Sequence, residues 1–221
     1  MNHYKLEPLK FHRLPKVESI ENSRDFLNKV STRRTVREFS SDPIPKEVLE
    51  NAIQAAGTAP SGANIQPWHF VVVTDKETRH RIRIAAEEQE EQFYEHRASE
   101  EWLKALEPIG TNADKHFLDS APCQIAIFLE KSFIDNNGEK KKTYYPNESV
   151  GLATGLLITA LHFSGIATLT YTPSPMHFLT DILGRPDTER PYMIVVCGYP
   201  SKNATVPAIT KKPLSKIADF R

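Results

Sequence analysis

Excess charge of either sign is missing from this 221-residue chain, in which 28 basic residues balance 28 acidic ones. General nucleic-acid binding is therefore disfavoured, because it draws on surplus cation to displace counterions from phosphate. Cysteine is nearly absent. Cys123 and Cys197 each sit inside an apolar run with no C-x-x-C spacing, which argues against a disulfide framework and points to small buried thiols in a reducing, cytoplasmic setting. A long hydrophobic run is also lacking. The most apolar stretch, from Ser149 to Gly165, is interrupted by Thr154, Thr159, His162 and Ser164 and is shorter than the roughly 20 residues that span a bilayer, so it reads as a buried helix. The N-terminal residues Met1 to Pro15 have no continuous apolar core of a secretory signal. Finally, there is no G-x-G-x-x-G, no G-x-x-x-x-G-K-[ST], no G-x-S-x-G and no close pair of metal-binding spacing among the eight histidines. No metal site is expected.

What is present is the composition of a globular protein, with 39% hydrophobic and 25% charged residues. From Pro45, Val48, Leu49, Ala52, Ile53 and Ala56 recur at helical spacing up to Gly57. A small, turn-rich loop, Thr58 to Asn64, leads into the β-branched run Phe70 to Val73. Lys76 to about Arg97 reads as a long charged helix with sparse apolar positions, followed by a looser segment through Trp102 and Pro108. Cys123 to Leu129, Thr168 to Thr172 and Tyr192 to Tyr199 are further strand candidates, with Pro175 to Leu183 a short helix between the last two. Helices and strands in alternation imply a layered α/β or α+β domain. The two ends, residues 1–22 and 206–221, are proline-punctuated and weakly periodic, which suggests arms laid on a surface, including that of a partner subunit.

Three local features could carry chemistry. Arg33, Arg34 and Arg37 stand beside Ser31, Thr32 and Thr35, an arrangement that suits a phosphate through forked guanidinium contacts, although a solvated basic surface has the same composition. Ser61-Gly62-Ala63 would let backbone N–H groups approach a ligand, as would a plain helix-to-strand turn. Glu90 and Tyr94 are one helical turn apart in a segment too poor in apolar residues to be core, which fits a lid with aligned polar tips.

Taken as an ordered set, Arg33-Arg34-Thr35-Val36-Arg37, Gly57 to Ala63 before Pro67-Trp68, Thr170-Tyr171-Thr172-Pro173 and Gly198-Tyr199-Pro200 resemble the nitroreductase superfamily of flavoproteins, and within it the iodotyrosine deiodinases. The resemblance runs from about Arg33 to Pro213. It implies an α+β, nitroreductase-like fold with a central, mostly antiparallel sheet flanked by helices, in a domain-swapped homodimer with FMN at the subunit interface. The corresponding partition is an N-terminal arm over 1–22, an FMN domain over 23–205 with a lid at about 87–116, and a C-terminal extension over 206–221.

By the same resemblance, Arg33, Arg34, Thr35, Arg37 and Lys211 would hold the phosphate and ribityl chain, with Pro60 and Ser61 supplied by the partner. Thr170, Tyr171 and Thr172 would line the isoalloxazine. Thr172 would be the catalytic residue, its hydroxyl on flavin N5 favouring one-electron steps. Glu90 would take the ammonium of a halogenated tyrosine, Tyr94 and Lys115 its carboxylate, and the Ala63 amide its phenolate. Lys211 stands where an arginine is usual and Asn64 where histidine is familiar, and the membrane anchor of the animal enzymes has no counterpart, which implies a soluble, cytoplasmic, bacterial-type form. The implied reaction is FMN-dependent reductive dehalogenation fed by an external donor, NAD(P)H or a reductase. The alternative is an NAD(P)H-dependent nitroreductase or quinone reductase of broad specificity, for which Glu90, Tyr94 and Lys115 would be incidental. Neither nucleic acid nor membrane is an expected partner.

Overall fold

A computed structural model of the chain describes residues 5–135 and 137–221. The chain divides into two compact units, residues 1–33 and 34–221. In the first, helix α1 (Lys16–Ser31) has no buried residue, and Val17, Ile20, Phe26 and Leu27 are exposed along it. The segment expected to be a weakly periodic arm is thus helical from Lys16, and residue 22 lies inside α1 rather than at a boundary.

The second unit is built on a four-stranded antiparallel sheet in the order β1-β2-β6-β5. Its strands are β1 (Trp68–Val73), β2 (Cys123–Glu130), β5 (Ala167–Tyr171) and β6 (Glu189–Gly198). Strand β2 is central and buried along nearly its whole length, so its alternate residues feed two cores. Cys123, Ile125, Ile127 and Leu129 pack with α2 (Lys46–Gly57) and α6 (Pro146–Phe163), through Leu49, Ala52, Ala56, Val150, Leu157 and Leu161. Ala126 and Phe128 face the opposite layer, where Ile82 and Ala86 of α3 (Lys76–Gln92), Phe117 and Leu118 of α5 (Phe117–Ser120), and Leu179 of α7 (Phe178–Leu183) complete the packing. Period-two side-chain alternation in the strands thus yields helices on both faces of the sheet.

Local chemistry accounts for several element ends. Asp75 caps α3 by accepting the Thr78 backbone N–H at 2.7 Å, and Ser99 caps α4 (Glu100–Leu106) through Trp102 N at 3.2 Å. The long charged helix expected to reach Arg97 ends as α-helix at Gln92 and continues as one π-helical turn over Phe93–Arg97. After β2, strands β3 (Ser132–Ile134) and β4 (Lys140–Lys142) pair antiparallel as a separate two-stranded sheet.

Candidate active site

Strand β5 runs along one edge of the sheet and ends at the mouth of a cavity of about 320 Å³, within the size range of ligand sites. Its alternation distributes chemistry to two sides. Thr170 and Thr172 are exposed, whereas Tyr171 is buried and stacks edge-on against Phe117, 5.6 Å between ring centroids. Arg37, Glu90, Tyr94, Lys115, Thr170, Tyr171, Thr172 and Ser174 line the cavity, joined by Phe93, Trp102, Leu106 and Thr111 from the segment that follows α3.

Glu90 and Lys115 are the centre of this cavity's polar wall. The Lys115 ammonium lies 3.2 Å from Glu90 Oε2, and the Tyr171 hydroxyl donates to Glu90 Oε1 at 3.1 Å, so each carboxylate oxygen has its own partner. Lys115 is 3% exposed; its ammonium also bonds to the Thr111 hydroxyl and the Asn112 carbonyl and sits 5.6 Å and 5.8 Å from the ring centres of Tyr94 and Tyr171. Such contacts partly replace the lost hydration of a buried cation. Burial still pushes the Lys115 ammonium below its ordinary value, with the attraction of Glu90 opposing the shift. Burial, and after it the negative charge of Glu90, holds the Tyr171 phenol well above its ordinary value, so it acts as a donor. The Tyr94 phenol is pushed up chiefly by burial, while a hydrogen bond with Thr111 and the nearby Arg37 pull the other way.

At the same cavity, Arg37 is held below its usual value by desolvation, and no carboxylate is among the groups that shift it. An anion bound here would supply the missing counter-charge. Thr35, on the same segment, bridges to Thr168 of β5, and Arg34 donates to the Pro207 carbonyl, fixing the start of the C-terminal stretch. Lys211 is exposed beyond that anchor. Arg33 ends the first unit and is half-buried.

Pro60, Ser61 and Ala63 do not line this cavity. They belong to a loop in which Ala63, Asn64 and Gln66 all have positive φ, near 51° to 55°, a conformation costly for non-glycine residues. The Ser61 hydroxyl stabilises it by accepting the Gln66 N–H at 2.9 Å. Gly62 is required there, since a Cβ would meet the Tyr144 carbonyl at 2.7 Å.

Sequence reasoning thus anticipated one polar face of the cavity and missed its apolar wall. Phe93 and Trp102, 5.5 Å apart, stand in a stretch so rich in charge that no apolar period marks it. Glu87, in the same charged stretch, is only 19% exposed and accepts the Lys115 backbone N–H at 2.7 Å. The spacing of Arg83, Glu87, Glu90 and Tyr94, every fourth or third residue, was the available signal.

Residues 30–199 match the family described as the nitroreductase family. The iodotyrosine deiodinase of Haliscomenobacter hydrossis is 47% identical over 195 residues, which cover 88% of each chain. Iodotyrosine deiodinase 1 of Homo sapiens is 42% identical over 213 residues, 95% of this chain and 73% of that protein. Among solved structures, oxidized iodotyrosine deiodinase bound to FMN and 3-iodo-L-tyrosine superposes with a TM-score of 0.74 at 30% identity, over 88% of this chain and 100% of the other.

Proposed function

The chain belongs to the nitroreductase family, among the iodotyrosine deiodinases, and from that premise we propose that it is a flavin-dependent oxidoreductase that reductively dehalogenates halotyrosines. Two electrons and one proton replace the aryl carbon–iodine bond of iodotyrosine by carbon–hydrogen and release tyrosine and iodide. The convergence of Glu90, Tyr94 and Lys115 on one cavity beside β5 carries this reading. Glu90 offers a carboxylate to an ammonium, and Lys115 with the Tyr94 hydroxyl offers donors to a carboxylate.

The residues present fit FMN. The under-compensated Arg37 with the exposed hydroxyls of Thr170 and Thr172 forms a donor set for an anionic, hydrogen-bonding cofactor, and Arg33, Arg34, Thr35 and Lys211 add phosphate-seeking chemistry. Bound FMN supplies the electrons, one at a time, and a flat ring for the phenol to stack on. Thr172 is assigned to the reacting edge of the cofactor, and Tyr171, whose hydroxyl is on Glu90, links that strand to the recognition end. Phe93, Trp102 and Phe117 give the bound phenol an aromatic wall.

A homodimer completes the site. Ser61, Pro60 and the Ala63 amide, held in a strained loop outside this chain's own cavity, would reach the cavity of a partner. Leu152, Leu156 and Phe163 form an exposed apolar row on α6, and α1 buries nothing, so both offer surfaces for a second copy to cover. The partition into a terminal arm, an FMN domain with a lid at about 87–116 and an extension over 206–221 accords with this assembly. Among the described residues no helix is long and apolar enough to cross a membrane. The free thiols of Cys123 and Cys197 suit a cytoplasmic location, where a reductase or NAD(P)H would supply electrons.

The test is anaerobic: the FMN-loaded protein is reduced with dithionite, iodotyrosine is added, and tyrosine and iodide are quantified. Tyrosine formed well above a free-FMN control is the expected result. A bound, reducible flavin with no tyrosine formed would overturn the reading in favour of general nitroreduction.

A further inference from the structure

Behind the cavity's polar wall, a charge cluster that does not itself line the cavity converges on Lys115. The Arg83 guanidinium spends its three nitrogens on three carboxylates: Nε on Glu87 at 2.8 Å, and its two terminal nitrogens on Asp119 and Asp114, each at 3.0 Å. Glu87 in turn accepts the backbone N–H of Lys115 at 2.7 Å. Asp114 is the residue before Lys115, and Asp119 lies in α5 just beyond it, where it also meets His80 at 3.0 Å. One arginine on α3 therefore grips the segment carrying Lys115 on both sides and, through Glu87, at its amide. The same helix stripe continues to Glu90 and Tyr94, which face the cavity. The pattern is a serial brace: Arg83 orients Glu87, Glu87 fixes the Lys115 backbone, and Glu90 receives the Lys115 side chain.

We propose that Arg83, acting through Glu87 and Asp114, is the positioning residue that sets Lys115 for the carboxylate of the amino-acid substrate and so determines selectivity for halotyrosine over halophenol. The inference rests on the function proposed above. Arg83 is 24% exposed and Glu87 19%, so this arm of the brace is shielded from the screening that makes surface pairs weak, whereas Asp114, 59% exposed, adds the weaker arm. A forked group is needed, because lysine offers a single point charge and could satisfy one of the three acids. Loss of the brace leaves Lys115 held by its side-chain contacts and by the Leu118 N–H on its carbonyl, with no tie at its own amide, and a misplacement of the order of 1 Å is enough to forfeit an oriented charge pair.

The experiment compares the FMN-loaded wild type with Arg83→Met, Arg83→Lys and Glu87→Leu, using iodotyrosine and 2-iodophenol, which lacks both the ammonium and the carboxylate. Arg83→Met should raise the KM for iodotyrosine roughly tenfold, equivalent to about 1.4 kcal/mol, with kcat and 2-iodophenol dehalogenation changed by less than about twofold. Glu87→Leu, which removes the acceptor shared by Arg83 and the Lys115 N–H, should show the same signature, Arg83→Lys a smaller one, and the Arg83→Met/Glu87→Leu double variant no more than the worse single, as members of one chain of contacts behave non-additively. Should Arg83→Met fail to fold, Glu87→Leu carries the test. An unchanged iodotyrosine KM, or a parallel loss for iodotyrosine and iodophenol, would overturn the proposal while leaving the deiodinase reading intact. A wild type that does not dehalogenate iodotyrosine would overturn both.

Discussion

Replacing Glu90 by glutamine removes one charge from the pair that organises the cavity while keeping the volume and a hydrogen-bond acceptor for Tyr171. With Lys115 Nζ 3.2 Å from Glu90 Oε2, the direct attraction is about 5 kcal/mol at an effective dielectric constant near 20. Breaking such a buried pair on one side leaves an uncompensated ion, typically a loss of about 3–5 kcal/mol. Lys115 has an escape, however. Giving up its proton at pH 7 would cost a lysine of ordinary pKa about 4.6 kcal/mol, and burial has already lowered that figure. The expected destabilisation is therefore about 2–4 kcal/mol, seen as a drop of roughly 5–15 °C in Tm for a chain of this size. Binding should suffer separately. A hydrogen bond between a carboxylate and an ammonium contributes about 1.5–3 kcal/mol, so the halotyrosine KM should rise about 10- to 150-fold. The double variant Glu90→Gln/Lys115→Met separates the two effects, because removal of both buried charges should restore most of the Tm without restoring KM. Differential scanning calorimetry and initial-rate kinetics on the FMN-loaded protein supply both readouts. A Glu90→Gln enzyme with KM within twofold of wild type, or a double variant as unstable as the single one, would refute the reasoning.

Four further outcomes are expected. Tyr171→Phe removes the 3.1 Å bond to Glu90 but keeps the ring on Phe117, so KM should rise about 3- to 10-fold with kcat nearly constant in steady-state assays. On the proposed role of Lys115, binding of the substrate carboxylate needs it protonated; since burial lowers that pKa, affinity should be full below it and fall as pH rises through it, earlier than an ordinary lysine would dictate. Lys115→Arg should push that alkaline limb beyond reach in a KM–pH profile. Arg37→Met should weaken FMN binding at least about tenfold by fluorescence titration, because a half-buried cation loses its role as counter-charge. Gly198→Ala would place a Cβ 2.6 Å from Pro122 Cδ and 3.1 Å from Phe39, an overpacking that should cost about 1–3 kcal/mol in urea unfolding with little change in KM.

Residues whose burial is periodic were legible from the sequence, and those whose role is tertiary were not. Helix α2 and its stop at Gly57, the strands through Cys123 and Val195, and the apolar α6 all follow from spacing, because each buries its face against one layer. Strand β6 begins three residues before its expected start because Glu189 enters the fold with its charge met by Arg185, which hides a strand residue behind a polar letter. Strand β4 consists of three exposed lysines and offers no alternation to read. Helix α1 escaped notice since none of its residues is buried, which leaves no apolar face to mark it. Within the site, the helical spacing of Glu90 and Tyr94 was visible, but the meeting of Glu90 with Lys115 and Tyr171 joins α3, the segment before α5 and β5, and is created by tertiary packing. The resemblance to a known family supplied that grouping before the geometry did.

The closed pair also bears on why a zwitterion, and not merely a phenol, is the preferred ligand. Glu90 and Lys115 neutralise each other, an arrangement that a substrate must either leave in place or replace. An amino acid brings an ammonium for Glu90 and a carboxylate for Lys115, so both buried charges exchange one partner for another at little net electrostatic loss. An analogue with only one of those groups satisfies one residue and draws it away from the other, leaving a buried charge with less compensation than before. A neutral halophenol leaves the pair intact and gains only the aromatic wall. Selectivity at this cavity is thus produced by the penalty on half-matched ligands as much as by attraction for the full match. On this reasoning halotyramine and halophenylpropionate should bind no better than the halophenol from which they differ by a single charged arm, and only the complete amino acid should gain from both Glu90 and Lys115.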